Sequence, residues 1–124
     1  MRDVKREAQQ DAPRRILEAG VRELNLELPA STLQRLLDYQ QELQKWNTAY
    51  NLTAIRDPGQ MVTRHLLDSL ALLPQVQGTR LLDVGSGAGL PGIPLALADS
   101  ALRVVTLDSN GKKARFMRHA VRTL

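Results

Sequence analysis

Four glycines, at positions 85, 87, 89 and 92, are the residues best placed to do chemistry in this chain. They follow Leu81-Leu82-Asp83-Val84 and precede Ile93-Pro94-Leu95-Ala96-Leu97-Ala98. Backbone without Cβ lets a ligand approach closely, and a helix opening just beyond offers N–H groups with no partner of their own. Leu81, Leu82 and Val84 fit a short buried strand, the turn falls at Gly85, and Pro91 and Pro94 suit a first helical turn, so the stretch reads as strand, glycine loop, helix. Nucleotide-like cofactors use such loops. Residues 87, 89 and 92 match G-x-G-x-x-G, which lays a dinucleotide pyrophosphate on the helix N-terminus.

Two acids refine the choice of ligand. Asp83, two residues before Gly85, disfavours a pyrophosphate and favours a cation by Coulomb attraction. S-adenosylmethionine, with its sulfonium and ammonium groups, meets that condition. A second apolar run, Arg103 to Leu107, ends at Asp108, nineteen residues beyond Gly89. A carboxylate at the end of the second strand of a βαβ unit accepts hydrogen bonds from ribose hydroxyls. The alternative is that Asp108 only caps the helix that follows.

The elements that must position these groups are written in the apolar pattern. Residues 1–12 lack apolar periodicity and read as frayed or weakly helical. From Pro13 to Leu24, Ile16, Leu17, Val21 and Leu24 recur at helical spacing. Ser31 with Gln34 has the capping-box pattern, opening a helix with the buried stripe Leu33, Leu36, Leu37, Leu43 and Trp46. Asp57, Pro58 and Gln60 open a third helix, with Met61, Val62, Leu66, Leu70 and Leu73 inward and Pro74 as its stop. A helical region over residues 1–77 is therefore expected to pack on a sheet unit over residues 78–124. After Asp108, Ala114, Met117, Val121 and Leu124 form one stripe, expected to face the sheet. Lys112, Lys113, Arg115, Arg118 and Arg122 gather on the same helix with no acid among them, which fits either a phosphate-binding face or a solvated one.

Composition limits the alternatives. The chain has 124 residues, 17 Lys and Arg against 13 Asp and Glu, and no cysteine. Disulfides and thiolate metal sites are excluded, and the net charge of +4 permits a nucleic-acid partner without demanding one. No stretch has the length and apolarity of a membrane span, and the first residues lack a signal-peptide core, so a soluble, cytoplasmic protein is expected. Two polar patches stand out. Trp46, Asn47, Tyr50, Asn51 and Thr53 have the chemistry to stack on a base, but core filling and turn satisfaction explain them better. Arg64, His65 and Asp68 fall within one helical turn, as a catalytic or orienting pair of His65 with Asp68, or as a surface ion pair of Arg64 with Asp68 beside a satisfied histidine.

The run LLDVGSGAGLPGIPLALA, with KWNTAYNLTAIRDP and RHLLDSL upstream and TLDSNGKKARF downstream, resembles the ribosomal RNA small subunit methyltransferase G family, also called glucose-inhibited division protein B. The likeness covers about residues 13–124. It implies an α/β class I S-adenosylmethionine-dependent methyltransferase, Rossmann-like, truncated to its first two strands and preceded by helices. The activity implied is methyl transfer to nitrogen 7 of a guanine in 16S rRNA near the decoding centre, with the small ribosomal subunit as partner, no membrane, and a monomer at full length. Asp83, Gly85, Ser86, Gly87, Gly89, Leu90 and Asp108 would hold S-adenosylmethionine, with the RNA on Lys112, Lys113, Arg115 and Arg118; His65 and Asp68 match motif positions. Lys112-Lys113 replaces the family's Lys-Arg. Exposed strand edges in so short a sheet are expected to invite association. A nicotinamide-dependent oxidoreductase and a non-enzymatic RNA-binding module remain open on the residues alone.

Overall fold

The computed structural model describes residues 4–124. Helix α1 spans Val4–Glu23 and α2 spans Ala30–Tyr50. A third helical segment follows in three parts: α3 Pro58–Met61, a π-helical stretch Val62–Leu67, and α4 Asp68–Leu70. A 3-10 turn at Leu73–Gln75 leads to β1, Arg80–Val84; then come α5 Gly92–Ala98, β2 Arg103–Leu107 and α6 Gly111–Thr123.

Helix α1 begins well before the expected Pro13; residues 1–3 lie outside the described residues. An amide network replaces the missing apolar periodicity. Gln10, 4% exposed, donates to Asp38 Oδ1 (3.0 Å) and Gln41 Oε1 (2.9 Å), and accepts from Gln34 Nε2 (2.8 Å), which also donates to Asp38 Oδ1 (2.9 Å). Gln34 is thus used in the contact between the helices. The expected capping box does not form: α2 begins two residues earlier, with Pro29 rather than Ser31 at its N-cap and no side-chain cap bond. Pro29 fixes its own φ, and its carbonyl accepts from Thr32 and Leu33 N–H. At Asp57 the expected cap is present, Oδ2 accepting from Gln60 N–H at 2.9 Å.

Leu17 and Val21 of α1, Leu36, Leu37 and Leu43 of α2, and Val62, Leu66 and Leu70 of the third segment pack into one core that continues into Ile93 and Phe116. Trp46 is only partly buried, whereas Tyr39, which lies in the same stripe, is fully buried.

Strands β1 and β2 pair in parallel, from Arg80 opposite Arg103 to Val84 opposite Leu107. The expectation of a buried strand holds on one face only. Leu81, Asp83, Val104 and Thr106 are half-buried on the face that carries α5, while Leu82, Val84, Val105 and Leu107 are 60%, 72%, 56% and 51% exposed. A continuous apolar run suits a strand covered on both faces, and here no described residue covers the second.

Helix α6 buries Phe116, Met117 and Ala120, whereas Val121, placed inward by the sequence pattern, is 71% exposed. The rotation follows from what α6 packs against. Phe116 meets Tyr39 at 6.1 Å and Trp46 at 5.6 Å between ring centroids, and His119 stacks on Trp46 at 4.7 Å while its Nε2 lies 2.9 Å from Glu42 Oε2. Aromatic contacts with α2, rather than the sheet alone, set the buried face.

Candidate cofactor-binding site

The glycine loop lies at the C-terminal end of β1, where turn chemistry and sheet pairing fix it together. Gly85, Gly87 and Gly89 have φ of +72°, +61° and +96°, values open to glycine at little cost. The Leu107 carbonyl accepts from both Gly85 N–H (2.8 Å) and Ser86 N–H (3.0 Å), which extends the β1–β2 pairing into the loop. Ser86 is buried and its hydroxyl donates to the Asp83 carbonyl at 2.7 Å. The Ser86 carbonyl accepts from Gly89 and Leu90 N–H, both at 3.0 Å. Gly92 opens α5 against the strands: an added Cβ would lie 2.8 Å from Thr106 Cγ2, 2.9 Å from Asp83 Oδ2 and 3.0 Å from Val104 Cγ1. Close helix–strand packing is what the last glycine of such a loop permits.

The two acids sit in different places. Asp83 faces α5, half-buried, and its Oδ2 accepts from Gly92 N–H at 3.0 Å, so its charge is spent at the start of that helix. Asp108 stands at the loop. Its Oδ2 accepts from Gly87 N–H at 2.7 Å and its Oδ1 from Asn110 N–H at 2.8 Å. Asn110, rather than Asp108, caps α6, its Oδ1 accepting from Lys112 and Lys113 N–H. The Asn110 and Gly87 N–H groups and the Lys113 ammonium hold the Asp108 carboxyl below its ordinary pKa, so it is ionised at neutral pH.

The fit to an adenosine ribose rests on this geometry. The face of Gly85 that a side chain would fill is open space, and beside Gly87 only the end of Lys113 approaches, Cδ at 3.9 Å and Nζ at 4.0 Å from an added Cβ. Each Asp108 oxygen accepts one backbone bond and keeps a lone pair for a ligand hydroxyl.

The basic residues divide. Lys112, Arg115, Arg118 and Arg122 are exposed on α6, whereas Lys113 is half-buried and turns back over Gly87. His65 and Asp68 lie near enough for the Asp68 charge to act on the ring but are not hydrogen-bonded to each other. The His65 ring bonds Thr53 Oγ1 at 2.9 Å, Asp68 is exposed, and among the described residues no hydrogen bond or ion pair links Asp68 to His65 or to Arg64. The π-helical stretch has more residues per turn than an α-helix, which upsets the three-residue spacing that would pair them. Burial pushes the His65 pKa down, outweighing the Arg64 carbonyl and the Asp68 charge. In the aromatic patch, Asn47 Oδ1 accepts from Thr53 N–H (2.9 Å), Asn51 adopts φ +51° at the end of α2, and Trp46 packs against Tyr50, Phe116 and His119.

One residue that reaches the loop does not stand out in the sequence. Tyr39, fully buried in α2, donates from its hydroxyl to the Ala88 carbonyl at 2.7 Å. Its signal was slight: a phenol, with a polar tip, standing where Leu36 and Leu43 otherwise continue the stripe. Among the described residues, no group of three or more His, Asp or Glu is arranged to hold a metal, and no helix is long and apolar enough to cross a membrane.

A glycine loop between β1 and α5, with an acid at the end of the parallel neighbouring strand and helices ahead of the sheet, is the opening of a class I methyltransferase fold. The chain belongs to the rRNA small subunit methyltransferase G family, whose profile matches residues 32–124. Proteins named ribosomal RNA small subunit methyltransferase G are similar to it. That of Alkalilimnicola ehrlichii is 63% identical over 102 residues, covering 82% of this chain and 46% of the relative. That of Chromohalobacter salexigens is 61% identical over 105 residues, 85% of this chain and 50% of the relative. For Methylobacillus flagellatus the identity is 59% over 104 residues, 84% and 51%. The chain spans about half the length of these relatives.

Proposed function

We propose that this chain carries the S-adenosylmethionine site of an rRNA methyltransferase that acts on N7 of a guanine in 16S rRNA, in the cytoplasm, on the small subunit or its RNA. Of the N-terminal region 1–77, the helices within the described residues back the site, and residues 78–124 are the first part of the Rossmann-like unit that forms it. The observation that carries the reading is the contact of Asp108 with the glycine loop, 2.7 Å to Gly87 N–H, which joins two features far apart in sequence at one open cradle.

Within that reading, the Asp108 carboxylate accepts from the ribose hydroxyls, and Gly85, Ser86, Gly87, Gly89 and Leu90 supply the close backbone wall. Asp83 sets the loop through Gly92 and adds negative potential behind it. S-adenosylmethionine supplies a methyl group activated on sulfonium. Guanine N7 carries an in-plane lone pair at neutral pH, so the protein need not remove a proton there. Its task is orientation, which in favourable systems lowers a barrier by roughly 7 to 11 kcal/mol. Lys112, Arg115 and Arg118 offer positive charge to the RNA backbone.

Calorimetric titration of the chain with S-adenosylmethionine and, separately, NAD tests the cofactor. We expect binding of S-adenosylmethionine alone, weakened at least tenfold by Asp108→Ala. Preferential binding of NAD would overturn the reading in favour of an oxidoreductase. For the acceptor, mass spectrometry of digested 16S rRNA after reaction with the whole protein should yield 7-methylguanosine; a methyl on any other atom overturns that part.

A further inference from the structure

We infer that Tyr39 is a positioning residue for the cofactor loop: its hydroxyl, delivered from α2, holds the Ala88–Gly89 peptide in the orientation the site requires. The inference rests on the cofactor reading above and extends it to the helical region.

That peptide is gripped at both ends. Tyr39 Oη donates to the Ala88 carbonyl at 2.7 Å, and the Gly89 N–H donates to the Ser86 carbonyl at 3.0 Å. Ala88 is 5% exposed and Tyr39 fully buried, so water does not readily replace the phenol. Gly89 has φ +96°, and an added Cβ would lie 2.4 Å from Ile93 Cδ1, so this part of the loop accepts only glycine without strain. The Gly89 carbonyl accepts from Ile93 N–H at 2.7 Å, so the orientation passes on to the first turn of α5. Beyond the Leu107 carbonyl of β2, three described side chains on separate elements therefore anchor the loop and its exit: Asp108 after β2, Asp83 on β1, and Tyr39 on α2. Tyr39 is the one that comes from the region before the sheet.

The phenol suits the task for two reasons. Burial, with the Asp83 charge nearby, pushes its pKa well above the ordinary tyrosine value, so it stays a neutral donor throughout the working range. Its ring is held by Phe116 of α6, 6.1 Å between centroids. A phenylalanine retains that packing and lacks only the donor, leaving a buried carbonyl unpaired, and such groups are costly.

The test compares the chain with Tyr39→Phe by S-adenosylmethionine titration and by amide hydrogen exchange. Gln10→Ala, which loosens the contact between α1 and α2, serves as the control for a general loss of stability. We expect Tyr39→Phe to weaken cofactor binding about tenfold and to speed exchange at Gly89 and Leu90 severalfold, with exchange in the core of α6 unchanged. Gln10→Ala should lower the thermal midpoint without either effect. Unchanged affinity in Tyr39→Phe, while the parent chain binds, overturns the role of Tyr39 alone. Equal weakening by Gln10→Ala overturns it as well, reducing the effect to stability. A parent chain that binds NAD in preference to S-adenosylmethionine overturns the cofactor reading and this inference with it.

Discussion

Gly92 sits where α5 crosses both strands, and an added methyl would meet Thr106, Val104 and Asp83 at 3.0 Å or less. Two of the three are β-branched and held in strands, so they yield little. Gly92→Ala should therefore destabilise by about 1–3 kcal/mol, although alanine is ordinarily the better helix residue. A urea midpoint equal to or above that of the parent chain would contradict the close packing. His65 gives a second prediction at this scale. Its pKa is lowered by burial, so folding favours the neutral ring. The stability it contributes is present above the ordinary histidine value and is lost as pH falls through that value toward the folded one. The imidazole proton resonance of His65, assigned by its loss in His65→Gln, should titrate below the ordinary value, and that variant should flatten its share of the loss of thermal midpoint on acidification below about pH 6.5. A midpoint at or above the ordinary value would mean that Asp68 governs the ring instead.

Among the elements, the two-stranded sheet has one face under α5 and one face of Leu82, Val84, Val105 and Leu107 that is more than half exposed. Hydrophobic residues in such positions contribute little to folding but bind apolar probes. Replacing Val84 and Val105 together by Thr should change stability by about 0.5 kcal/mol or less per site and reduce anilinonaphthalene sulfonate fluorescence. Leu95→Ala, at a residue 1% exposed on α5, should cost about 2–5 kcal/mol. Comparable losses from the two would show that the outer face is covered. The order strand, loop, helix, strand was legible because glycine and proline punctuate it unambiguously. The first turns of α1 were not, because Gln10, Gln34, Asp38 and Gln41 hold them through amides, which leave no mark in apolar periodicity. Nor was the π-helical stretch Val62–Leu67, whose residues have no composition that sets it apart from an ordinary helix, yet it changes the angle between His65 and Asp68 about the helix axis.

Across the whole molecule, the candidate site gathers parts from α2, β1, α5 and the end of β2, and it was legible in sequence only where a motif carries its own geometry. The loop and Asp108 were found through their spacing; which way Asp83 points depended on which sheet face α5 covers, and Tyr39 depended on where α2 lies. The same tertiary placement separates the basic residues of α6. Arg115 and Arg118 are exposed, whereas Lys113 folds back over Gly87 and beside Asp108. A cation that neutralises a phosphate releases counterions, and removing one such cation makes the slope of log affinity against log salt shallower by about 0.7 to 0.9. Arg115→Gln and Arg118→Gln should each reduce the slope for a 16S rRNA fragment by that amount. Lys113→Gln should leave the slope nearly unchanged and instead alter S-adenosylmethionine affinity, since its charge lies at the cofactor loop. Filter binding across a series of salt concentrations, with the cofactor titration alongside, separates the two roles. If Lys113→Gln lowers the slope as much as the arginine variants do, the lysine leaves the loop to meet the RNA, and the division between cofactor face and RNA face drawn from its position fails.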